Sequence, residues 1–294
     1  MWQHLLKAWL GGLAREKVRE KVVEAAQQRF TEAQQAAAAP CGAAPAVCDA
    51  GVVFALGAES GGLEDLLQGS ATTRGEGFVV RCGRLHQREV AIVLSGTGRS
   101  KAAHAAEALI SGHRPRLVIS AGFAGGLTAE LRRNDLVLGE CVKHVGGAEL
   151  PLDAARIPAP LRAWPRVFSG RLLTADRVVR TPAEKKALGQ EHQALAVEME
   201  TIAVAEVCRE RNVPLAAVRV IIDAADDTLP PDVERLLRQK TTAARLGAAL
   251  GVMLNRPGSV KDLYGLKENS LACSDRLAKF LAELVRMSDV GCRM

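Results

Sequence analysis

The chain has 294 residues, 48% of them hydrophobic, 24% charged and 3% aromatic, with a formal net charge of +6. That length holds one large α/β domain with appendages and can bury a sizeable core. The scarcity of aromatic rings argues against a base-stacking nucleic-acid surface. The positive charge is spread over Arg132-Arg133, Arg177 to Arg180 and Lys185-Lys186 with acids interspersed, the pattern of a solvated surface.

Residues 1–33 open the chain with Trp2, Leu5, Leu6, Trp9, Leu10 and Leu13 at helical spacing, followed by Lys7, Arg15, Lys17, Arg19 and Lys21 mixed with Glu16, Glu20 and Glu24. This is expected to be an amphipathic helical extension, neither a cleavable signal nor a membrane span. It is read as packing on its own domain or a partner subunit, with peripheral contact to an anionic membrane surface as the alternative. Residues 34–50, rich in Ala and Pro, read as a linker that leaves Cys41 and Cys48 exposed.

A strand is expected over Gly51 to Gly57, followed by a turn through Ala58-Glu59-Ser60-Gly61-Gly62. A strand pair follows, Phe78 to Cys82 and Glu89 to Leu94, and the second strand runs into Ser95-Gly96-Thr97-Gly98 and a helix from Arg99 to Ser111. Such a turn places backbone N–H groups near a helix N-terminus, which suits an anion or a polarised water. Glycines also occur in such turns for conformational reasons alone. Arg116 to Gly126 is another apolar strand ending in a glycine-rich turn.

Residues 194–227 carry the most chemistry. A short strand ends in Glu198-Met199-Glu200, an Ala- and Val-rich helix follows, and the strand Leu215 to Ile222 ends on Asp223. Ligands in open α/β sheets sit beyond the carboxyl ends of strands, so this unit aims acids from two strands at one crevice. A carboxylate that holds sugar hydroxyls and a carboxyl that protonates a leaving group suit cleavage of a glycosidic bond. The same residues read equally as acids at a helix N-terminus or as a cap, and spacing by itself does not choose between Glu198 and Glu200.

Pro230-Pro231 stops the chain, Val233 to Leu254 has the spacing of a long closing helix, and residues 255–259 break it. Two more helical stretches follow, Val260 to Leu266 and Leu271 to Met287. Strands alternating with helices give the expected fold: α/β, a single domain over 51–254, with a central, mostly parallel or mixed sheet flanked by helices. Residues 255–294 form a C-terminal helical extension.

The segments SGTG (95–98), SAGFAGG (120–126), VEME (197–200) and IDAAD (222–226), in this order, resemble the purine nucleoside phosphorylase superfamily, and within it the 5′-methylthioadenosine/S-adenosylhomocysteine nucleosidases. The resemblance adds a known central sheet with flanking helices. It also implies that Glu200 binds the ribose hydroxyls, Met199 packs on the sugar beside Glu198, and Asp223 protonates purine N7. Ser95, Gly96, Thr97, Gly98 and Arg99 are then the water- or phosphate-binding segment, and Gly122, Phe123, Val178 and Val179 the base side. Val178 falls where those nucleosidases place a stacking ring.

One departure concerns the nucleophile. The water-activating Glu of the nucleosidases aligns with Gly62, no phosphate-binding Arg of the phosphorylases takes its place, and Glu59 is the nearest substitute. The implied activity is hydrolytic cleavage of the N-glycosidic bond of an adenosine-type purine nucleoside, in nucleoside metabolism and methionine salvage. Phosphate-dependent phosphorolysis and a non-catalytic nucleoside-binding or scaffold role are the alternatives. No cofactor is expected apart from inorganic phosphate as the co-substrate of a phosphorylase, and no cluster has metal-ligand spacing. The expected partners are a small-molecule nucleoside and further copies of the chain, as a homodimer or higher homo-oligomer, and not nucleic acid. Seven cysteines without a C-x-x-C pair, with Cys82, Cys141 and Cys208 inside apolar patterns, suit a reducing cytoplasm.

Overall fold

The computed structural model describes residues 47–229 and 259–288. The expected N-terminal helix, most of the linker and the helix over Val233 to Leu254 lie outside the described residues. In chain order the elements are β1 (Ala50–Phe54), α1 (Gly57–Glu64), β2 (Gln68–Arg74), β3 (Val79–Leu85), β4 (Arg88–Leu94), α2 (Arg99–His113), β5 (Leu117–Gly126), β6 (Leu136–His144) and β7 (Glu149–Pro151). After a 3-10 turn come α3 (Ala159–Arg162), β8 (Val167–Thr174), α4 (Pro182–His192), β9 (Ala196–Glu198), α5 (Thr201–Glu210), β10 (Leu215–Asp223) and α6 (Ser259–Met287).

The strands form one mixed sheet in the order β10-β6-β8-β9-β5-β1-β4-β3-β2, with β7 on β6. Strand β10 also pairs with β5, so β5, β10, β6, β8 and β9 close a ring of pairings at one side of the sheet. The neighbours β4, β1, β5 and β10 run parallel, and their side chains are buried on both faces. Alternation divides them: Val53, Val93 and Val118 face α2 and α5, whereas Val52, Phe54, Ile92 and Ile119 face the layer containing α6. Ala102, Ala105, Ala106, Leu109 and Ile110 make the buried stripe of α2.

Several expected boundaries shift. The first strand stops at Phe54, and a helix opens at Gly57 where a turn was expected; Glu59 accepts the Leu56 N–H at 2.7 Å, a first-turn acid closing the helix end. The glycine-rich end of Arg116 to Gly126 is not a turn but strand, because Gly122, Gly125 and Gly126 continue the β5 ladder on β10 and β9. The polar, exposed β2 has no apolar pattern and went unseen. Residues 259–287 form a single helix rather than two stretches, and its residues Cys273, Leu277, Phe280, Leu281 and Leu284 join the core with β1, β5 and β10. Cys48 is buried rather than exposed, its N–H donating to His113 O at 3.0 Å. Among the described residues, no helix is long and apolar enough to cross a membrane.

Candidate active site

At the carboxyl ends of β1, β5, β9 and β10 lies a cavity of about 190 Å³. Its polar groups are the carboxyls of Glu59, Glu198, Glu200 and Asp223, set in a largely apolar wall. The carboxyls arrive on three pieces of backbone, after β1, at the end of β9 and at the end of β10, and two glycines of β5 make room for Glu59 and Asp223. A Cβ on Gly122 would stand 2.8 Å from Glu59 Oε1, and one on Gly125 would stand 3.1 Å from Asp223 Oδ2. Side chains at these positions would displace the very groups that line the cavity.

Glu59 is 5% exposed. Its Oε2 accepts the N–H groups of Ala55 (3.0 Å) and Leu56 (2.7 Å), and its Oε1 accepts that of Phe123 (2.9 Å). Burial raises its pKa above the ordinary carboxylate range, opposed by these three donors and by the Arg219 charge. Gly62, the position aligned with a water-activating Glu, faces elsewhere. A Cβ there would meet Ala278 Cβ at 3.0 Å and Ser274 O at 3.1 Å on α6. The helix therefore needs a glycine at 62 for packing, and it is Glu59 that reaches the cavity.

Glu198 and Glu200 separate cleanly. Both oxygens of Glu198 are spent inside the protein. Oε1 accepts from Thr174 Oγ1, while Oε2 accepts from the backbone N–H groups of Glu200 (2.9 Å) and Thr201 (2.7 Å), from Thr201 Oγ1 (2.8 Å) and from Arg219 Nη2 (2.9 Å). Burial alone would push Glu198 up, but the Arg219 guanidinium and these donors hold it below the usual range. Its expected place among the substrate ligands is corrected to that of a buried anchor. Glu198→Gln would accordingly disturb the fold.

Glu200, half-buried at the N-terminus of α5, has one protein partner, Gly98 N–H at 2.8 Å on Oε1. Burial, and next the Glu198 charge, push its pKa up to about 8. The folded state thus keeps a proton that the unfolded chain has already released. That contribution to stability is full below the unfolded pKa and is lost as the pH rises to about 8. Glu200→Gln should therefore gain in Tm relative to the parent between about pH 5 and pH 8, by several degrees, on the order of what one to two kcal/mol gives a domain of this size. Parallel Tm–pH curves for the two proteins would show that Glu200 keeps an ordinary pKa.

Asp223 ends β10 beside a register shift between Ile221 and Asp223, a bulge that re-aims the chain end. It is 4% exposed. Lys185 Nζ of α4 stands 2.5 Å from its Oδ2. Burial raises the Asp223 pKa, and the lysine charge opposes that rise.

The rest of the cavity is apolar: Leu56, Phe123, Val178, Val179, Met199, Ile222 and Leu229 line it, with Thr97 and the exposed Arg177 at its edge. Met199, Phe123, Val178 and Val179 are thus all part of the cavity wall. The turn at 95–98 behaves differently from a phosphate cradle. The Ser95 hydroxyl donates to Phe54 O (3.2 Å) or Gly96 O (2.8 Å), Gly96 N–H donates to Ala55 O (3.0 Å), and Gly98 N–H is taken by Glu200. Gly96 (φ +79°) and Gly98 (φ +100°) supply left-handed conformations that bend the chain toward Glu200. Arg99 is paired with Asp176 at 2.7 Å, and Asp176 also meets His144 Nε2 at 3.1 Å. The expected anion-binding role of Ser95, Gly96, Gly98 and Arg99 is corrected accordingly; Thr97 alone of the segment lines the cavity.

Two functional residues escaped the sequence reading. Lys185 was counted with the solvated charges but is 0% exposed. Arg219 interrupts an apolar strand. Besides Glu198, its Nη2 donates to Ser120 Oγ (2.9 Å) and Thr201 Oγ1 (2.6 Å), while Nε and Nη1 are buried without an acceptor. A charged residue inside a fully apolar strand was the available signal. Among the described residues, no group of three or more His, Cys, Asp or Glu is placed to hold a metal ion.

Comparison with known proteins places the chain in a family. The family model of the phosphorylase superfamily matches residues 49–252, and the chain belongs to that superfamily. A curated relative, the 5′-methylthioadenosine/S-adenosylhomocysteine nucleosidase of Shewanella sediminis, is 27% identical over 210 residues, covering 64% of this chain and 91% of that protein. Two solved nucleosidases share the fold. The Neisseria meningitidis enzyme in complex with methylthio-immucillin-A has a TM-score of 0.63 at 22% identity, covering 81% of this chain and 98% of its own. The Streptococcus pneumoniae enzyme with a transition-state inhibitor has a TM-score of 0.63 at 18% identity, covering 82% and 99%.

Proposed function

We propose that this protein hydrolyses the N-glycosidic bond of an adenosine-type purine nucleoside, as the names of its nucleosidase relatives state for those proteins. The observation that carries this reading is the convergence of Glu59, Glu200 and Asp223 on one apolar cavity. As the C1′–N9 bond breaks, Asp223 passes its proton to N7 and the purine leaves neutral. A water held against Glu59 attacks C1′ and gives its proton to that carboxylate. Glu200 grips the ribose hydroxyls and Met199 packs against the sugar. The products are a free purine and a free sugar.

Hydrolysis is favoured over phosphorolysis because a carboxyl group that can take a proton from water, Glu59, lines the cavity, and Arg99 is engaged by Asp176. The presence of Glu59 there also weakens the one sequence argument for a non-catalytic binding protein, which was Gly62. In this reading the enzyme needs no cofactor, acts on a small-molecule nucleoside in methionine salvage, and works as a cytoplasmic homo-oligomer. The deciding experiment gives purified full-length protein a panel of purine nucleosides with and without phosphate and scores free base. Release only with phosphate, yielding ribose 1-phosphate, replaces hydrolysis with phosphorolysis; binding of all substrates without release leaves only the scaffold reading.

The grip on the sugar makes a separate prediction. Assayed above the pH of about 8 at which Glu200 ionises, Glu200→Gln should lose more kcat/KM on ribonucleosides than on 2′-deoxynucleosides, by about tenfold or more, since a charge-assisted hydrogen bond to the 2′-hydroxyl is worth roughly 1.5–3 kcal/mol. Equal losses on the two series would make Glu200 a structural residue.

A further inference from the structure

We propose that Lys185 is a positioning residue for the leaving-group acid, a buried ammonium that fixes the Asp223 carboxyl and the backbone of residues 224–227 against one another. The proposal rests on the reading of Asp223 as that acid. Lys185 has no exposed surface. Its Nζ donates to Ala224 O at 2.6 Å and to Asp227 O at 2.9 Å, and stands 2.5 Å from Asp223 Oδ2. One side chain from α4 thus holds the last residue of β10 and two points of the chain just beyond it. The same short segment is tied a second time: Asp227 Oδ2 accepts from Ala224 N–H at 2.7 Å and from Arg133 Nε at 2.7 Å. It then leads to Leu229, in the cavity wall, whose N–H donates to Arg180 O just before α4 at 3.0 Å.

Burying an ammonium is costly unless it is paired and hydrogen-bonded, and an apolar side chain of equal length would fill the space without that cost. What the lysine adds is a positive charge at one oxygen of Asp223 and two clamped carbonyls. With Oδ2 held, the other carboxyl oxygen is left to meet a base in the cavity. The charged groups around Asp223 are Lys185 from α4, Arg133 from the segment between β5 and β6, and Asp227 from its own loop, while Glu59, Glu198 and Glu200 share the cavity. Lys185 is the cation in direct contact. It favours the carboxylate and so keeps the acid strong enough to release its proton to the purine. Removing the charge should make Asp223 a weaker acid that holds its proton to higher pH.

The test uses the full-length protein with 5′-methylthioadenosine as substrate and two neutral variants. Lys185→Gln keeps N–H donors for the carbonyls, and Lys185→Met keeps only the length. For Lys185→Gln, kcat should fall about tenfold with KM within about threefold, and the alkaline limb of the kcat–pH profile should move up by about one unit. Added to Asp223→Asn, Lys185→Gln should cost less than about twofold further, since the lysine acts through that carboxyl. A limb that stays in place, or a full loss repeated in the Asp223→Asn background, overturns the proposal. Should Lys185→Gln not fold, Lys185→Met is read in the same way; collapse of both makes Lys185 a purely structural residue and also overturns it. Near-normal turnover by Asp223→Asn alone would instead remove the acid assignment, and the proposal with it. An inactive Asp223→Asn beside an unmoved Lys185→Gln profile removes only the lysine's part.

Discussion

Asp223→Asn is expected to abolish base release, lowering kcat by about 10²–10⁴-fold, while nucleoside binding stays within a few-fold of the parent. The amide keeps the shape of the carboxyl and its place at the end of β10, but it has no proton acidic enough to neutralise a departing purine. Binding, held by the apolar wall and by Glu200, does not need that proton. The structure adds a cost in stability. Lys185 loses the carboxylate 2.5 Å from its Nζ and keeps only the carbonyls of Ala224 and Asp227, with Asp227 as the next acid. Breaking one side of a buried pair typically costs about 3–5 kcal/mol, so the variant should fold with a lowered Tm. Single-turnover kinetics, a binding titration and a melting curve together check the three parts. Near-normal turnover would move leaving-group protonation to another group.

The second large effect is expected from Glu59→Gln, which should depress hydrolysis in phosphate-free buffer by about 10²–10³-fold, because the amide cannot take the proton of the attacking water. Glu59 also accepts three backbone N–H groups, from Ala55, Leu56 and Phe123. A glutamine presents an oxygen on one side only, so either the Phe123 N–H or both the Ala55 and Leu56 N–H groups face an NH₂ group, and some stability is lost whichever way the amide turns. The informative readout is therefore kcat per folded molecule, with the fraction folded measured by circular dichroism. An unchanged rate in the folded variant would make Glu59 a helix cap at the N-terminus of α1 and nothing more. Strong stimulation of either protein by phosphate, with ribose 1-phosphate as product, would shift the nucleophile's site away from Glu59 altogether.

Much of this site was legible before any coordinates. Apolar runs such as VVF, AIVL and LAAVRVII set the parallel strands, because strands covered on both faces need nearly continuous hydrophobicity. The blocks VEME and IDAAD put Glu200 and Asp223 at strand ends, and the turn at 95–98 had to be followed by a helix. These are local properties, written in order and periodicity. The choice between Glu198 and Glu200 was not local. Two acids two residues apart differ in what surrounds them: Arg219, Thr174 and Thr201 saturate the first, and only a glycine N–H meets the second.

The remaining features depended on contacts between distant segments. Gly62 and Glu59 exchange their expected meanings because α6, more than two hundred residues onward, packs on Gly62 through Ser274 and Ala278. The short strand ending at Glu198 was expected, but not that its three residues pair with both β5 and β8 and so close the ring. Lys185 belongs to a run of charges whose ordinary place is water, and nothing in its neighbours along the chain marks it as buried. The sequence by itself determined the sheet-forming runs and which acids end them. Only the tertiary structure decided which acid is anchored, which is free, and which lysine is drawn inside, since burial and pairing are set by groups that approach through space.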